Sequence, residues 1–268
     1  MQTPVDVLRI QLKTVRSSYQ DYLNNPFEVE HVHQLRVNLR CLRALLCFLK
    51  PTIDERTYNH LTDQLRQAGL ILSPLRDLDV LHAFCGVFAK ENPEFSSDYQ
   101  KLFNYLGILR RREMRKTFNK TNRQLFEGML ELADEQLTDS LLTEPKNWPK
   151  YIPKRLSKKA EKLEKLMIQV GDMDYEIIHD TRKKAKKLRY AATYFADATE
   201  QNLSKVRKYA KSIQSDLGRQ TDAHVIKSLL AELADEISDR AADKTPDKTS
   251  DTTVQALLWQ IHAEITEA

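Results

Sequence analysis

The chain has 268 residues, enough for one large domain or two smaller ones with a sizeable buried core. Only 6 glycines and 9 prolines interrupt it, 41% of residues are apolar and 30% charged, and no period-2 runs of β-branched residues occur, which excludes a sheet-based fold and indicates an all-α one. The net charge is +4, yet Arg110 to Arg123 holds seven basic residues and one acid, and Lys154 to Arg189 holds twelve basic and six acidic, so each segment alone exceeds the whole chain. Compensating acid falls between Ser228 and Asp251, and such segregation points to an anionic partner. Cys41, Cys47 and Cys85 form no CxxC pair, which suits a reducing compartment. No stretch approaches the ~20 apolar residues of a membrane span, and the N-terminus has no apolar signal core, so a cytoplasmic location without membrane contact is expected.

In chain order, helices are expected over Val5–Leu23, stopped by Asn24-Asn25-Pro26, and over Val29–Leu49, stopped before Pro51. Asp54–Leu72 follows, with Ser73-Pro74 as its break, and then Asp77–Lys90. A long basic helix is expected from about Ser96 to Leu142. Glu144 to Pro153, with two prolines, reads as a linker between an N-terminal half, 1–143, and a C-terminal half, 154–268, of one domain. The second half continues with helices over Lys154–Val170, from Asp174 as cap to about Ala196, and over Gln201–Leu217 with Gly218 as its C-terminal glycine. Asp222–Ile237 comes next, then a polar, flexible Asp239–Thr253. Val254–Ile265 closes the chain as an amphipathic helix whose Leu257, Leu258, Trp259 and Ile261 read as core.

One motif occurs twice. His33-Gln34-Leu35-Arg36-Val37-Asn38-Leu39-Arg40-Cys41-Leu42-Arg43 and His179-Asp180-Thr181-Arg182-Lys183-Lys184-Ala185-Lys186-Lys187-Leu188-Arg189 both fit H-x-x-R-x-x-x-(R/K)-x-x-R, 146 positions apart. At 100° per residue these offsets fall within one narrow stripe, about 15 Å long at a 1.5 Å rise. His33, Arg36, Arg40 and Arg43 thus share one face, as do His179, Arg182, Lys186 and Arg189, with Lys183 and Lys187 broadening the second stripe. The opposite faces carry Leu35, Leu39, Leu42, Leu45, Leu46 and Leu49, and Ala185, Leu188, Ala191, Ala192 and Phe195. Like charges at i,i+3 and i,i+4 repel, and a solvated face normally interleaves acids to relieve this. The first stripe has none, which suits a site built to receive anions.

A second element also recurs. Leu72-Ser73-Pro74-Leu75-Arg76-Asp77 places Asp77 44 residues after His33, and Leu217-Gly218-Arg219-Gln220-Thr221-Asp222 places Asp222 43 residues after His179. A duplicated chain with two pseudo-twofold-related antiparallel helical bundles is expected. The repeated helices, Leu188-Arg189-Tyr190, Arg76 to Leu81 (RDLDVL) and Leu217 to Asp222 together resemble the CHAD domain, the conserved histidine α-helical domain, over nearly the whole chain. The resemblance implies two four-helix bundles around a basic cavity or groove that binds inorganic polyphosphate, with links to polyphosphate granules. Some CHAD domains are fused to triphosphate-tunnel phosphohydrolase domains; this chain is read as a stand-alone one. The family's histidine and basic positions carry over to His33, Arg36, Arg40, Arg43, His179, Arg182, Lys186 and Arg189. Ser73 and Pro74 stand where the second half has Gly218 and its follower, which leaves the first turn's geometry open.

The expected chemistry is binding. Arginine grips phosphate oxygens in a bidentate fork and lysine supplies a point charge. Eight contacts, by analogy with single-stranded nucleic acid, give a log–log salt slope of roughly −5 to −6. His33 and His179 add charge as pH drops toward ~6.5. Asp77 and Asp222 are read as supports that pair with motif arginines or cap helices after the turns. No cofactor or metal is expected, and granule-associated proteins are the conceivable further partners. A metal-dependent phosphohydrolase using His33, His179, Asp77 and Asp222 is the catalytic rival, but no HExxH or Glu-x-x-His cluster is present, and Asp79 with His82 reads as a surface ion pair. A nucleic-acid backbone binder is the other rival, with Tyr190 and Tyr194 as stacking candidates.

Overall fold

Eleven α-helices run through the residues described by the computed structural model, 2–143, 147–169, 174–242 and 248–267. They are α1 (Pro4–Asn24), α2 (Val29–Leu49), α3 (Glu55–Ile71), α4 (Ser73–Glu91), α5 (Ser96–Thr117), α6 (Lys120–Gln136), α7 (Trp148–Gln169), α8 (Tyr175–Tyr194), α9 (Ser204–Asp216), α10 (Gly218–Ala242) and α11 (Lys248–Glu267). The fold is all-α. The described residues include no strand, only an isolated bridge between Ile53 and Leu142.

The helices gather into two compact units, residues 1–72 with 120–221 and residues 73–119 with 222–268. Each unit draws on both sequence halves. The chain leaves the first unit for the second at Leu72, directly before α4, and again within the first turns of α10.

In the first unit α1 starts with a capping box, in which Thr3 Oγ1 accepts from the Asp6 amide at 3.1 Å and the Asp6 carboxylate accepts from the Thr3 amide at 3.0 Å, followed by Pro4. Its apolar stripe, Leu8, Leu12, Val15, Tyr19 and Tyr22, is buried against α2 and α6. A buried polar chain fixes the register of α1 on α2. Gln11 Nε2 donates to the Asn38 carbonyl at 3.3 Å, and Asn38 Nδ2 donates to Ser18 Oγ at 2.6 Å. On α2 all six leucines of the expected apolar face are buried, as are Ala185, Leu188, Ala191, Ala192 and Phe195 on or beside α8. The small alanines let α2 and α8 approach, and the Phe48 and Phe195 rings meet at 5.3 Å between centroids. Arg155 Nε donates to the Phe48 carbonyl at 2.6 Å, satisfying an end of α2 that has no intrahelical donor.

The second unit packs α4, α5, α10 and α11 around Leu81, Cys85, Leu102, Leu106, Leu230, Leu258 and Ile261. Of the tail residues expected in the core, Leu257, Leu258 and Ile261 are buried and Trp259 is exposed. Asp79 is read from sequence as a surface partner of His82; instead its side chain is 0% exposed and accepts from Arg110 Nε at 2.6 Å. Burial nevertheless holds its carboxyl above the ordinary carboxylate range, with Arg110 acting in the opposite direction. His82 packs against the Phe103 ring instead.

Several expected boundaries move. The single helix over Ser96–Leu142 is two, α5 and α6, with the chain broken at Phe118-Asn119. The linker expected up to Pro153 is helical from Trp148. Pro153 cannot donate to the Pro149 carbonyl, and that carbonyl accepts from Thr199 Oγ1 at 2.9 Å. Gly218 does not end a helix but begins α10, and no described residue has positive φ. The break before it is Leu217 alone, at φ −80° and ψ −9°, and the break before α4 is Leu72 alone, at φ −87° and ψ −6°. The two turns therefore share one right-handed backbone conformation, open to any residue, and Ser73 replaces Gly218 without strain. Asp77 and Asp222 lie inside α4 and α10, beyond the first turn, so neither caps a helix. The expected Asp239–Thr253 loop is helical as far as Ala242 and again from Lys248, and 243–247 lie outside the described residues.

Candidate functional site

The first unit brings the two basic helices together. Helix α2 packs on α3 on one flank and on α8 on the other, because its leucine face is wide enough to be covered from both sides. A cavity of about 500 Å³ opens between these three helices. Arg40 and Arg43 of α2 and His179, Arg182, Lys183, Lys186 and Lys187 of α8 line it. Helix α3 adds Tyr58, Thr62 and Asp63, the last being the single acid among the lining residues. Cys47, Ala44 and Tyr190 complete the wall.

Seven of the ten expected binding residues therefore meet at one cavity. The other three do not line it. Arg36 Nη1 reaches sideways to the Gly69 carbonyl of α3 at 3.3 Å, and its own carbonyl accepts from Arg40 Nε at 3.3 Å. The Arg189 guanidinium lies over the Tyr190 ring, 5.3 Å from its centroid, and His33 is half-buried. Asp77 and Asp222 belong to the second unit, where Asp77 lines a separate hollow with Arg112, Glu113 and Lys116. Arg110 is taken up by Asp79, while Lys159 and Lys162 of α7 border a neighbouring cavity of the first unit.

The electrostatics are those of a crowded positive site. Burial, then the charge of Arg66, pulls the Arg43 guanidinium below its ordinary value, against Tyr58, Asp63 and Cys47. Burial, then Lys183, holds His179 below its ordinary value of 6.5. The imidazole is thus neutral at pH 7, and its charge arrives at a lower pH than the sequence suggests. Tyr175 stacks on it with centroids 5.6 Å apart. Burial and the neighbouring Cys47 push the Tyr58 phenol up to about 12, so it stays a protonated hydrogen-bond donor facing the cations. Six permanent cations, one titratable imidazole and the two phenols of Tyr58 and Tyr190 face a common volume, which is the equipment for holding several anionic oxygens.

Sequence reasoning misses Tyr58, Thr62 and Asp63. They carry no repeated signature, and only the packing of α3 on α2 brings them to the site. The proposed stacking residues fare unevenly: Tyr190 is 7% exposed and Tyr194 37%. Among the described residues no three His, Cys, Asp or Glu side chains gather where one metal ion would touch them all, and no helix is long and apolar enough to cross a membrane.

Comparison with known proteins places this geometry in context. The family model of the CHAD domain matches residues 6–231. Among solved structures, the crystal structure of the CHAD domain from the plant Ricinus communis is similar with a TM-score of 0.69 at 22% identity, over 97% of this chain and 85% of that one. PptA from Streptomyces chartreusis is similar with a TM-score of 0.63 at 15% identity, over 98% of this chain and 94% of that one. At these identities the likeness is one of fold. No curated relative matches the chain by sequence.

Proposed function

The chain belongs to the CHAD-domain family, and we propose that it binds inorganic polyphosphate in the cavity between α2, α3 and α8. The observation that carries this reading is the convergence of both basic motifs: residues 146 positions apart in sequence line the same 500 Å³ volume, with one acid among them. A linear polyphosphate has one negative charge per unit and no sequence to read. It needs what this site supplies, namely arginine forks and lysine charges along a path. Binding releases counterions, so affinity falls steeply with salt. In this reading the two motif copies descend from a duplication, each giving one stripe to a pseudo-twofold site, and the protein gathers at polyphosphate granules in the cytoplasm. No cofactor and no chemical step are invoked.

The test is a titration with long-chain polyphosphate, using single-stranded DNA at equal phosphate concentration as competitor. Polyphosphate binding that resists the competitor and is lost in a folded Arg40→Ala/Arg43→Ala/Arg182→Ala/Lys186→Ala variant supports the reading. Equal competition by DNA favours a general nucleic-acid backbone binder. Undiminished binding by the variant refutes the site.

A further inference from the structure

The basic cavity adjoins a second one of different chemistry. This neighbour has a volume of about 480 Å³ and shares Ala44, Cys47 and Lys187 with the first as common wall. Pockets for small molecules typically run from about 300 to 1,000 Å³. Its floor is apolar, made by Phe48 and Ala44 of α2, Leu163 and Leu166 of α7 and Leu188 of α8. Its rim is basic, with Lys159, Lys162 and Lys165 on α7 and Lys187 on α8. No acid lines it, and the fifth lysine, Lys184, is paired with Asp180 at 3.2 Å. Burial, then the charge of Arg155 and, more weakly, of Lys187 and Lys162, holds the Lys159 amine below its ordinary value, with Cys47 acting in the opposite direction.

Polyphosphate has no use for such a floor. Charged oxygens laid on leucine lose hydration and gain no donor. A nucleobase fits little better, because its ring nitrogens and exocyclic groups need partners, and the lining has no Asn, Gln, Ser, Thr, Asp or Glu. An alkyl chain needs none. We propose that this cavity takes the alkyl chain of a single-chain amphiphilic phosphate, whose head lies at Lys187 where the two cavities join. The proposal rests on the polyanion reading only for the head. The chain's place follows from the apolar floor.

The experiment uses the full chain and monomeric lysophosphatidates of increasing acyl length, each below its micelle concentration. Glycerol 3-phosphate serves as the head alone, ATP as a phosphate with an aromatic body, and phosphatidate vesicles as a surface. Affinity is expected to rise roughly four-fold per added methylene, which corresponds to about 0.8 kcal/mol, and to level off once the cavity is full. Cys47 is the half-buried cysteine, in the wall common to both cavities, and Cys41 and Cys85 are buried, so alkylation of Cys47 slowed by the amphiphile but not by glycerol 3-phosphate reports the position of the chain. Leu166→Asp, at a half-buried floor position, is expected to abolish the length dependence while polyphosphate binding persists. No length dependence, ATP binding as tightly as the longest amphiphile, or binding to vesicles but not monomers would overturn the proposal. These measurements do not depend on the variant. If amphiphiles bind as described and polyphosphate does not, the polyphosphate reading fails and this one stands. If only polyphosphate binds, the reverse holds.

Discussion

Salt dependence measures how many cations the site commits. The perturbation is Arg182→Ala/Lys186→Ala, which removes two of the six permanent cations lining the cavity, namely Arg40, Arg43, Arg182, Lys183, Lys186 and Lys187. Each contact to a flexible single-stranded polyanion contributes about −0.7 to the slope of log affinity on log salt, so six contacts give about −4 and four give about −3. Between about 50 and 200 mM salt the wild type then loses roughly 300-fold in affinity and the variant roughly 50-fold. Fluorescence anisotropy with end-labelled polyphosphate over that range reads both slopes. A wild-type slope of about −6 would mean about eight contacts, so that residues outside the cavity, such as Arg36 and Arg189, also hold phosphate. Equal slopes for wild type and variant would refute the assignment of Arg182 and Lys186 to the binding surface.

Other outcomes follow from particular side chains. Because burial and Lys183 hold His179 below its ordinary value of 6.5, polyphosphate affinity should climb only as pH falls below that value, and His179→Gln should flatten that rise in a binding titration. The same depressed value means that the unfolded chain binds the proton first, so this residue's contribution to stability is present above about 6.5 and is lost as pH falls through its folded value, which urea melts at pH 7 and 5 can read. Arg110→Ala strands Asp79, whose side chain is fully buried, and should cost about 3–5 kcal/mol in denaturant unfolding, while Arg110→Met/Asp79→Asn should recover much of it. A single variant as stable as wild type would show that Asp79 is held by other groups. Lys183 and Lys187 are like charges at i,i+4 on α8, so Lys183→Gln should stabilise the empty protein by about 0.2–0.5 kcal/mol while weakening polyphosphate binding. A fall in thermal midpoint on that substitution would contradict the repulsion argument.

Much of the site could be read from spacing alone. The limits Val29–Leu49 of α2 agree with the sequence expectation because both ends have local causes, the Asn24-Asn25-Pro26 break before it and Pro51 after it. The faces are equally local: offsets of three and four residues fix which side chains share a stripe, and the leucines so identified are buried. Where local composition misled, packing had the stronger vote. Ser73-Pro74 and Gly218 look like helix stops, yet the chain yields only one residue at each, the buried Leu72 and Leu217, before helix resumes. Pro149 and Pro153 look like a linker, yet the carbonyl that Pro153 leaves open is satisfied from 50 residues away by Thr199. No local signal announces Tyr58, Thr62 and Asp63, since their role depends on which helix covers α2.

The same division explains why the site tolerates its own repulsion. A row of cations on a lone helix would be held only by helix propensity, which is weak. Here each row stands on the back of a deeply buried apolar face, and burying a single leucine is worth about 1.5–3 kcal/mol against a few tenths for each like-charge pair. The leucines of α2 and the alanines of α8 therefore fix where Arg40, Arg43, Arg182 and Lys186 stand before any ligand arrives. In the proposed reading a polyanion would meet these cations on backbone already in place, so little backbone entropy would be lost on binding. Repulsion held in the empty cavity would be relieved by the proposed binding, which would add to the affinity and link occupancy to stability.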